Sequence, residues 1–263
     1  MSWSRVYRHG LAVGAADFRD FWSLKSWLFG WMLRILTNAF AWVLLGRVLG
    51  SHDRQSFLLV GNAVAVGATS ALWASNACTW ARYDGTHPLL VIAPSGLAAA
   101  TLGRTSIWPV NGIATSIATF LVLTLAFGYR LTVHAALAAF PLVVLVCAST
   151  FGFALFMGAV VGRWTRLRNL ALDVSGTLLM AFCGVAVPSS FWPAPMNAAV
   201  QFLPLTHGLL AIRGVLNDAG VGVVLRQASL EAVVGASWLV LALALMQRMA
   251  ERGRADGSIE LVV

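Results

Sequence analysis

Arg82–Pro94 reads RYDGTHPLLVIAP, a polar interruption between two long apolar runs. Its start is too polar to continue either run through a bilayer, so the chain leaves the hydrocarbon here and returns. Asp84, Gly85 and Thr86 supply turn and N-cap chemistry, and Pro88 suits a first helical turn. Leu89, Leu90, Val91 and Ile92 form an apolar patch, and Pro94 ends it. The pattern predicts a short capped helix outside the membrane. On composition alone an ordinary connecting loop with one helical turn is the simpler account, and a docking element for a partner is the other.

Working outward, the composition sets the class. Hydrophobic residues make up 59% of the 263 and charged ones 11%, where soluble domains carry roughly 25% charged. Several apolar runs of about 20 residues can each cross a hydrocarbon core of roughly 30 Å as a helix. The expectation is an all-α membrane protein. The formal charge of +8 comes from 17 arginines and one lysine scattered between the runs. Such scatter resembles topology signals more than a nucleic-acid face. Cys78, Cys147 and Cys183 lie in or beside apolar runs without metal-ligand spacing and read as small buried hydrophobes.

Six spans are expected, at about 27–49, 57–79, 107–127, 135–162, 170–187 and 230–249 of a single transmembrane domain covering 1–263. Before the first, Leu11, Ala15, Phe18 and Trp22 recur at helical spacing, which predicts an amphipathic interfacial helix over about 11–25. A solvated tail is the alternative. The apolar piece Leu11–Ala16 is too short for a cleavable signal. Arg34 and Asn38 share one face of the first span. Arg34 either snorkels to the surface or pairs with Asp173, which opens the fifth span at a similar depth. Span two is rich in Gly, Ala, Ser and Asn, suited to close helix packing, and Pro141 is expected to bend span four.

Between spans five and six, Pro193, Pro195, Pro204 and Gly208 break an apolar stretch into pieces of roughly ten residues, about half a crossing. It is expected to enter from outside and return as re-entrant helices. With both termini inside, twelve Lys and Arg fall on the cytoplasmic side, five on the outer side, Arg213 among them, and Arg34 lies within a span. That asymmetry favours six spans with cytoplasmic termini in a plasma or inner membrane.

Chemistry of the chain's own is scarce. Of ten acidic residues only Asp173 and Glu231 stand in apolar runs, both near membrane surfaces. The five histidines are dispersed, which predicts no metal site. The sole lysine, Lys25, follows leucine, and a phosphate-binding loop needs it after glycine. No catalytic residue and no cofactor bound by this chain are expected.

Two stretches resemble one family. Gly85–Pro94, GTHPLLVIAP, is similar to the segment after span two of type-2 ABC exporter permeases at Gly85, Thr86, Leu89, Leu90 and Pro94, with Val91 and Ala93 conservative. Phe202–Gly214, FLPLTHGLLAIRG, resembles that family's re-entrant segment at Pro204, Leu205, Thr206, Leu209 and Arg213, with His207 between them. His87 and Pro88 depart from the family's more usual Leu and Glu, which leaves Asp84 as the nearer acidic contact.

The resemblance implies a cytoplasmic coupling helix formed by Asp84, Gly85, Thr86, Leu89, Leu90 and Val91, assisted by Phe18 and Trp22 of the interfacial helix. It implies two copies of a separate ATP-binding subunit, carrying ATP and Mg, and a second permease, identical or a sister chain. A pathway along spans one, two and five would offer Asn38, Phe40, Trp42, Thr69, Ser70, Trp73, Met180 and Phe182, which suit a hydrophobic or amphipathic cargo such as a drug, lipid or peptide antibiotic. For any one of these residues, packing between helices or against lipid is the simpler account. An ion-coupled secondary carrier, a membrane-embedded lipid-modifying enzyme and a scaffold subunit are the alternatives.

Overall fold

The computed structural model describes residues 2–48, 50–92, 97–129, 132–162 and 164–256, and every regular element among them is helical. Helix α1 runs Trp3–Phe21, starting well before the expected Leu11. The chain breaks at Trp22, and the Ser23 hydroxyl accepts from the Ser26 amide at 3.2 Å to start the next rod. That rod consists of α2 (Leu24–Ser26), a π-helical stretch Trp27–Met32, and α3 (Leu33–Val48).

Helix α4 (His52–Ala77) is capped by Ser51, with Asp53 in its first turn, and a short turn α5 (Trp80–Tyr83) prolongs it. After α6 (His87–Ile92) come α7 (Leu97–Thr105) and α8 (Ile107–Phe127), which abut at Ser106. Pro109, the third residue of α8, has no N–H for the Thr105 carbonyl, which weakens the joint between α7 and α8. Helix α9 (Val133–Val161) carries Pro141 inside it. The remainder is α10 (Arg168–Phe182), α11 (Ala194–Val200), α12 (Thr206–Leu216) and α13 (Val221–Asp256).

Five helical stretches are long and apolar enough to cross a membrane: Leu24–Val48, Asp53–Arg82, Leu97–Phe127, Val133–Val161 and Val221–Ala255. The expected fifth span, about 170–187, takes the form of α10. Its 15 residues reach only roughly 22 Å, and irregular backbone follows to Pro188. The last span begins at Val221, earlier than the expected 230. Leu49, Ala93, Pro94, Arg130 and Arg163, which entered the expected span ends, motif match and charge count, lie outside the described residues.

The asymmetry of burial identifies the axis of the bundle. In the α4 stretch 78% of the apolar window is buried, against 22% for Leu24–Val48 and for Val221–Ala255. Helix α4 packs against α3, α8, α9 and α10. Small residues permit this. A Cβ on Gly67 would lie 2.9 Å from the Gly112 carbonyl oxygen of α8, and one on Gly158 of α9 would lie 2.8 Å from the Ser75 carbonyl oxygen. Backbones that approach so closely gain dispersion contact along their whole length, the main attraction available between helices in lipid. Ser70 and Thr115 share a hydrogen bond at 3.1 Å, and the Ser116 hydroxyl donates to the Ala63 carbonyl at 2.8 Å, so these three hydroxyls bond across the seam.

Helix α1 lies across α7 by the same device. A Cβ on Gly14 would overlap the Arg104 backbone, and one on Gly103 would overlap the Tyr7 carbonyl. Gly14→Leu should therefore loosen α1 from α7 by roughly 1–3 kcal/mol. Hydrogen exchange should read this as at least about tenfold faster exchange of α1 amides, with α4 unaffected; unchanged α1 protection would count against the contact.

Candidate functional site

The turn after α4 is tied to the first helix by one arginine. Arg104, in the last turn of α7, donates from Nε to Asp17 Oδ2 of α1 at 2.6 Å and from Nη2 to Asp84 Oδ2 at 2.7 Å. Its guanidinium also lies 5.9 Å from the Trp80 ring centroid. The Arg104 side chain is 14% exposed, Asp17 25% and Asp84 47%. The Asp17 arm is therefore the stronger, because water screens the Asp84 arm more.

Asp84 is in place because Trp80–Tyr83 makes one further turn and stops. The Asp84 and Thr86 amides return to the Trp80 and Ala81 carbonyls at 2.9 Å each, and the Thr86 hydroxyl also reaches the Ala81 carbonyl. Between them Gly85 takes φ 67°, a left-handed conformation that a Cβ would strain. The Thr86 carbonyl then accepts the Leu90 amide at 3.2 Å and launches α6. Leu89 is 64% exposed, Leu90 is half-buried, and the backbone of Val91 belongs to α6. Helix α6 touches α7 and α13.

Behind the junction stands a pile of aromatic rings. Phe18 meets Trp108 edge-on at 5.7 Å, and Trp108 stacks on Trp73 at 5.6 Å. Trp73 meets Trp31, and Trp31 meets Trp22, both edge-on at 5.4 Å. Phe21 stacks on Trp80 at 6.2 Å. These geometries each add about 0.5–1.5 kcal/mol beyond area burial. They join α1, the π-helical stretch, α4, α5 and α8 into one block. Phe18 and Trp22 both belong to this block, near the turn at Asp84–Thr86.

A second cluster lies between α12 and α13. Glu231 is fully buried, and its two carboxylate oxygens accept the Leu205 amide at 2.8 Å and the Gly208 amide at 2.9 Å. It caps the first turn of α12, where free N–H groups and the helix dipole favour an anion. Pro204 is buried, and Leu205 takes φ 82°, which turns its amide toward the carboxylate. The Thr206 hydroxyl donates to the Val200 carbonyl, and His207 Nδ1 lies 2.8 Å from Gln227 Oε1. Toward the other end, Arg213 donates to the Gly184 carbonyl at 2.7 Å and to the Phe57 carbonyl at 3.1 Å. It stitches the end of α10 and the start of α4 to α12, beside a cavity of about 460 Å³ walled by Asp53, Phe57 and Tyr129.

The residues considered for a pathway are not gathered on one surface. Thr69 bonds its own helix at the Ala65 carbonyl, Ser70 faces α8, and Trp73 is stacked between rings. Phe40 packs on Phe127 at 5.3 Å and Phe182 on Trp192 at 4.9 Å. Trp42 and Met180 are half-buried, Asn38 is exposed, and none of the eight borders the cavity. Arg34 lies 5.3 Å from the Trp31 ring centroid. Among the described residues it forms no ion pair with Asp173.

Sequence reasoning missed Asp17 and Arg104 as partners because 87 positions separate them, and it gave Glu231 no partner. The only signal for Glu231 was a carboxylate inside an apolar run. Comparison with models of protein families, with curated proteins and with solved structures finds no match to this chain.

Arg104→Gln should cost roughly 1–3 kcal/mol, the scale of a charge-assisted hydrogen bond left unmade. Asp17→Asn should cost more than Asp84→Asn, measured by denaturant unfolding in micelles; equal losses would refute the ranking of the two arms. Glu231→Gln should also cost roughly 1–3 kcal/mol, because one amide oxygen cannot replace two acceptors and its NH2 would face a backbone donor.

Proposed function

We propose that this chain is the permease subunit of an ATP-driven exporter of the type-2 ABC kind, moving a hydrophobic or amphipathic cargo with energy from a separate ATPase. The observation that carries the reading is α6, a two-turn helix with Leu89 exposed, held through Asp84, Arg104 and Asp17 to α1. An element that transmits force needs an exposed face for the partner and a stiff connection behind it. A floppy loop would dissipate the displacement that ATP binding imposes. In this reading α6 and α1 lie on the cytoplasmic side, and α11 and α12 form the outer re-entrant segment that Glu231 and Arg213 hold in shape. The fuel, ATP with Mg, is bound by two copies of the partner subunit, and a second permease completes the pathway.

An ion-coupled carrier is the second reading, favoured by the buried carboxylate of Glu231. Both its oxygens are already engaged by the backbone amides of α12, so a proton or sodium ion would compete with that cap.

Leu89→Asp combined with Leu90→Asp should abolish copurification of the ATPase subunit and leave membrane insertion intact; undiminished copurification would remove the docking role of α6. Asn217→Cys, at the exposed end of α12, should react with an impermeant thiol reagent in whole cells. Labelling only after permeabilisation would invert the orientation.

A further inference from the structure

One stripe of α4 lines a side of the cavity beside Arg213. Asp53, Ser56, Phe57 and Val60 border it, at positions i, i+3, i+4 and i+7, the spacing of a single helical face. The stripe grades from charged to apolar. Asp53 is exposed in the first turn of the helix, and Val60 is buried roughly 10 Å further along it. Because Asp53–Arg82 is one of the stretches able to cross a membrane, the stripe descends from the end of a crossing into its apolar part.

Arg213 enters from α12 at the level of Phe57. Its guanidinium carbon lies 3.4 Å from the Phe57 ring centroid, and its Nη atoms donate to the Gly184 and Phe57 carbonyls. Gly61 leaves room for it, since a Cβ there would come within 2.9 Å of Nη2. These carbonyls orient the cation without neutralising it. A guanidinium carries five N–H donors in one plane, more than the carbonyls engage, and among the described residues Arg213 and Asp53 form no ion pair with each other or with any other group. The cavity of about 460 Å³ therefore holds a cation and, one helical turn nearer the end of α4, an anion that do not cancel.

Charge, order and size together select a ligand. A simple anion would be repelled by Asp53 and a simple cation by Arg213, so the complementary molecule carries both signs. A phosphoethanolamine group does so: its phosphate and ammonium are held apart by a two-carbon spacer, a span close to one helical turn of roughly 5.4 Å. The planar guanidinium fork suits phosphate, and a carboxylate suits an ammonium. The volume falls within the roughly 300–1,000 Å³ of small-molecule pockets. Val60, deepest on the stripe, continues the same order, with apolar matter below the phosphate.

We propose that this cavity binds the headgroup of a zwitterionic glycerophospholipid, with its phosphate at Arg213, its ammonium at Asp53 and its glycerol toward Val60. The site lies within one chain. It requires that α4 cross a membrane and stands independently of the exporter reading.

The test uses the full-length chain, purified in a nonionic detergent and titrated with lipid, with adducts counted by native mass spectrometry. Dioleoyl phosphatidylethanolamine should saturate at one lipid per chain and bind at least about tenfold tighter than dioleoyl phosphatidylglycerol, whose headgroup lacks the ammonium. Asp53→Asn should erase that preference, Asp53→Glu should keep it and Asp53→Lys should reverse it, each with the helical circular dichroism of the unsubstituted chain. Equal binding of the two lipids, or a preference that survives Asp53→Asn, would overturn the proposal. Glycerophosphoethanolamine, the same headgroup without chains, identifies the source. Displacement of the lipid only at much higher concentration supports the phospholipid, whereas displacement at equal concentration would overturn it in favour of a soluble phosphoethanolamine ester. Undiminished ATPase copurification by the Leu89→Asp and Leu90→Asp chain would remove the docking role of α6 and leave this site standing.

Discussion

Inside a bilayer every polar group must find its partner within protein, because the surroundings offer neither donors nor acceptors. That requirement orders this molecule. The backbone meets it by being helical, and Ser70, Thr115 and Ser116 on α4 and α8 meet it by bonding across glycine-lined contacts. The few charges meet it in specific ways. Glu231 spends its carboxylate on the amides of α12, and Arg213 spends its guanidinium on carbonyls at the ends of α10 and α4. Both settle ends of broken helices, where backbone groups lack intrahelical partners.

The two ends of the bundle are built differently for the same reason. Near α1, exposure allows ionic contacts, and one arginine gathers two carboxylates from α1 and the turn after α4. Near the start of α4, the arginine is surrounded by carbonyls and an aromatic face, Phe57, and has no carboxylate partner among the described contacts. A junction of opposite charges at the surface tolerates water. A guanidinium buried among carbonyls cannot leave them without leaving several acceptors unpaired.

Rigidity between these ends comes from packing rather than charge. The aromatic pile from Trp22 through Trp31, Trp73 and Trp108 to Phe18 passes through four elements with ring separations of 5.4–5.7 Å. A displacement of α1 must move the top of α4 and α8 with it, because closely packed interiors shift as blocks. Trp73, which looks from sequence like a candidate cargo contact, is a member of this block.

Several features were legible in the residues alone. The apolar runs, the polar break at Arg82–Pro94 and the proline-broken stretch before α13 each follow from local composition, and the helices fall close to where those patterns put them. The turn at Asp84–Thr86 was readable because cap and glycine chemistry is written in adjacent positions. What local pattern could not supply was length and partnership. Whether the run from 170 holds a full crossing depends on where its helix loses backbone regularity, and it does so after Phe182. Which carboxylate Arg104 would meet, that Glu231 would be buried on a helix end, and that Arg34 and Asp173 would stand apart within one chain were decided by tertiary structure. Such pairings join residues distant along the chain, and in a low-dielectric interior their energies depend on final distance and burial, which no single stretch contains.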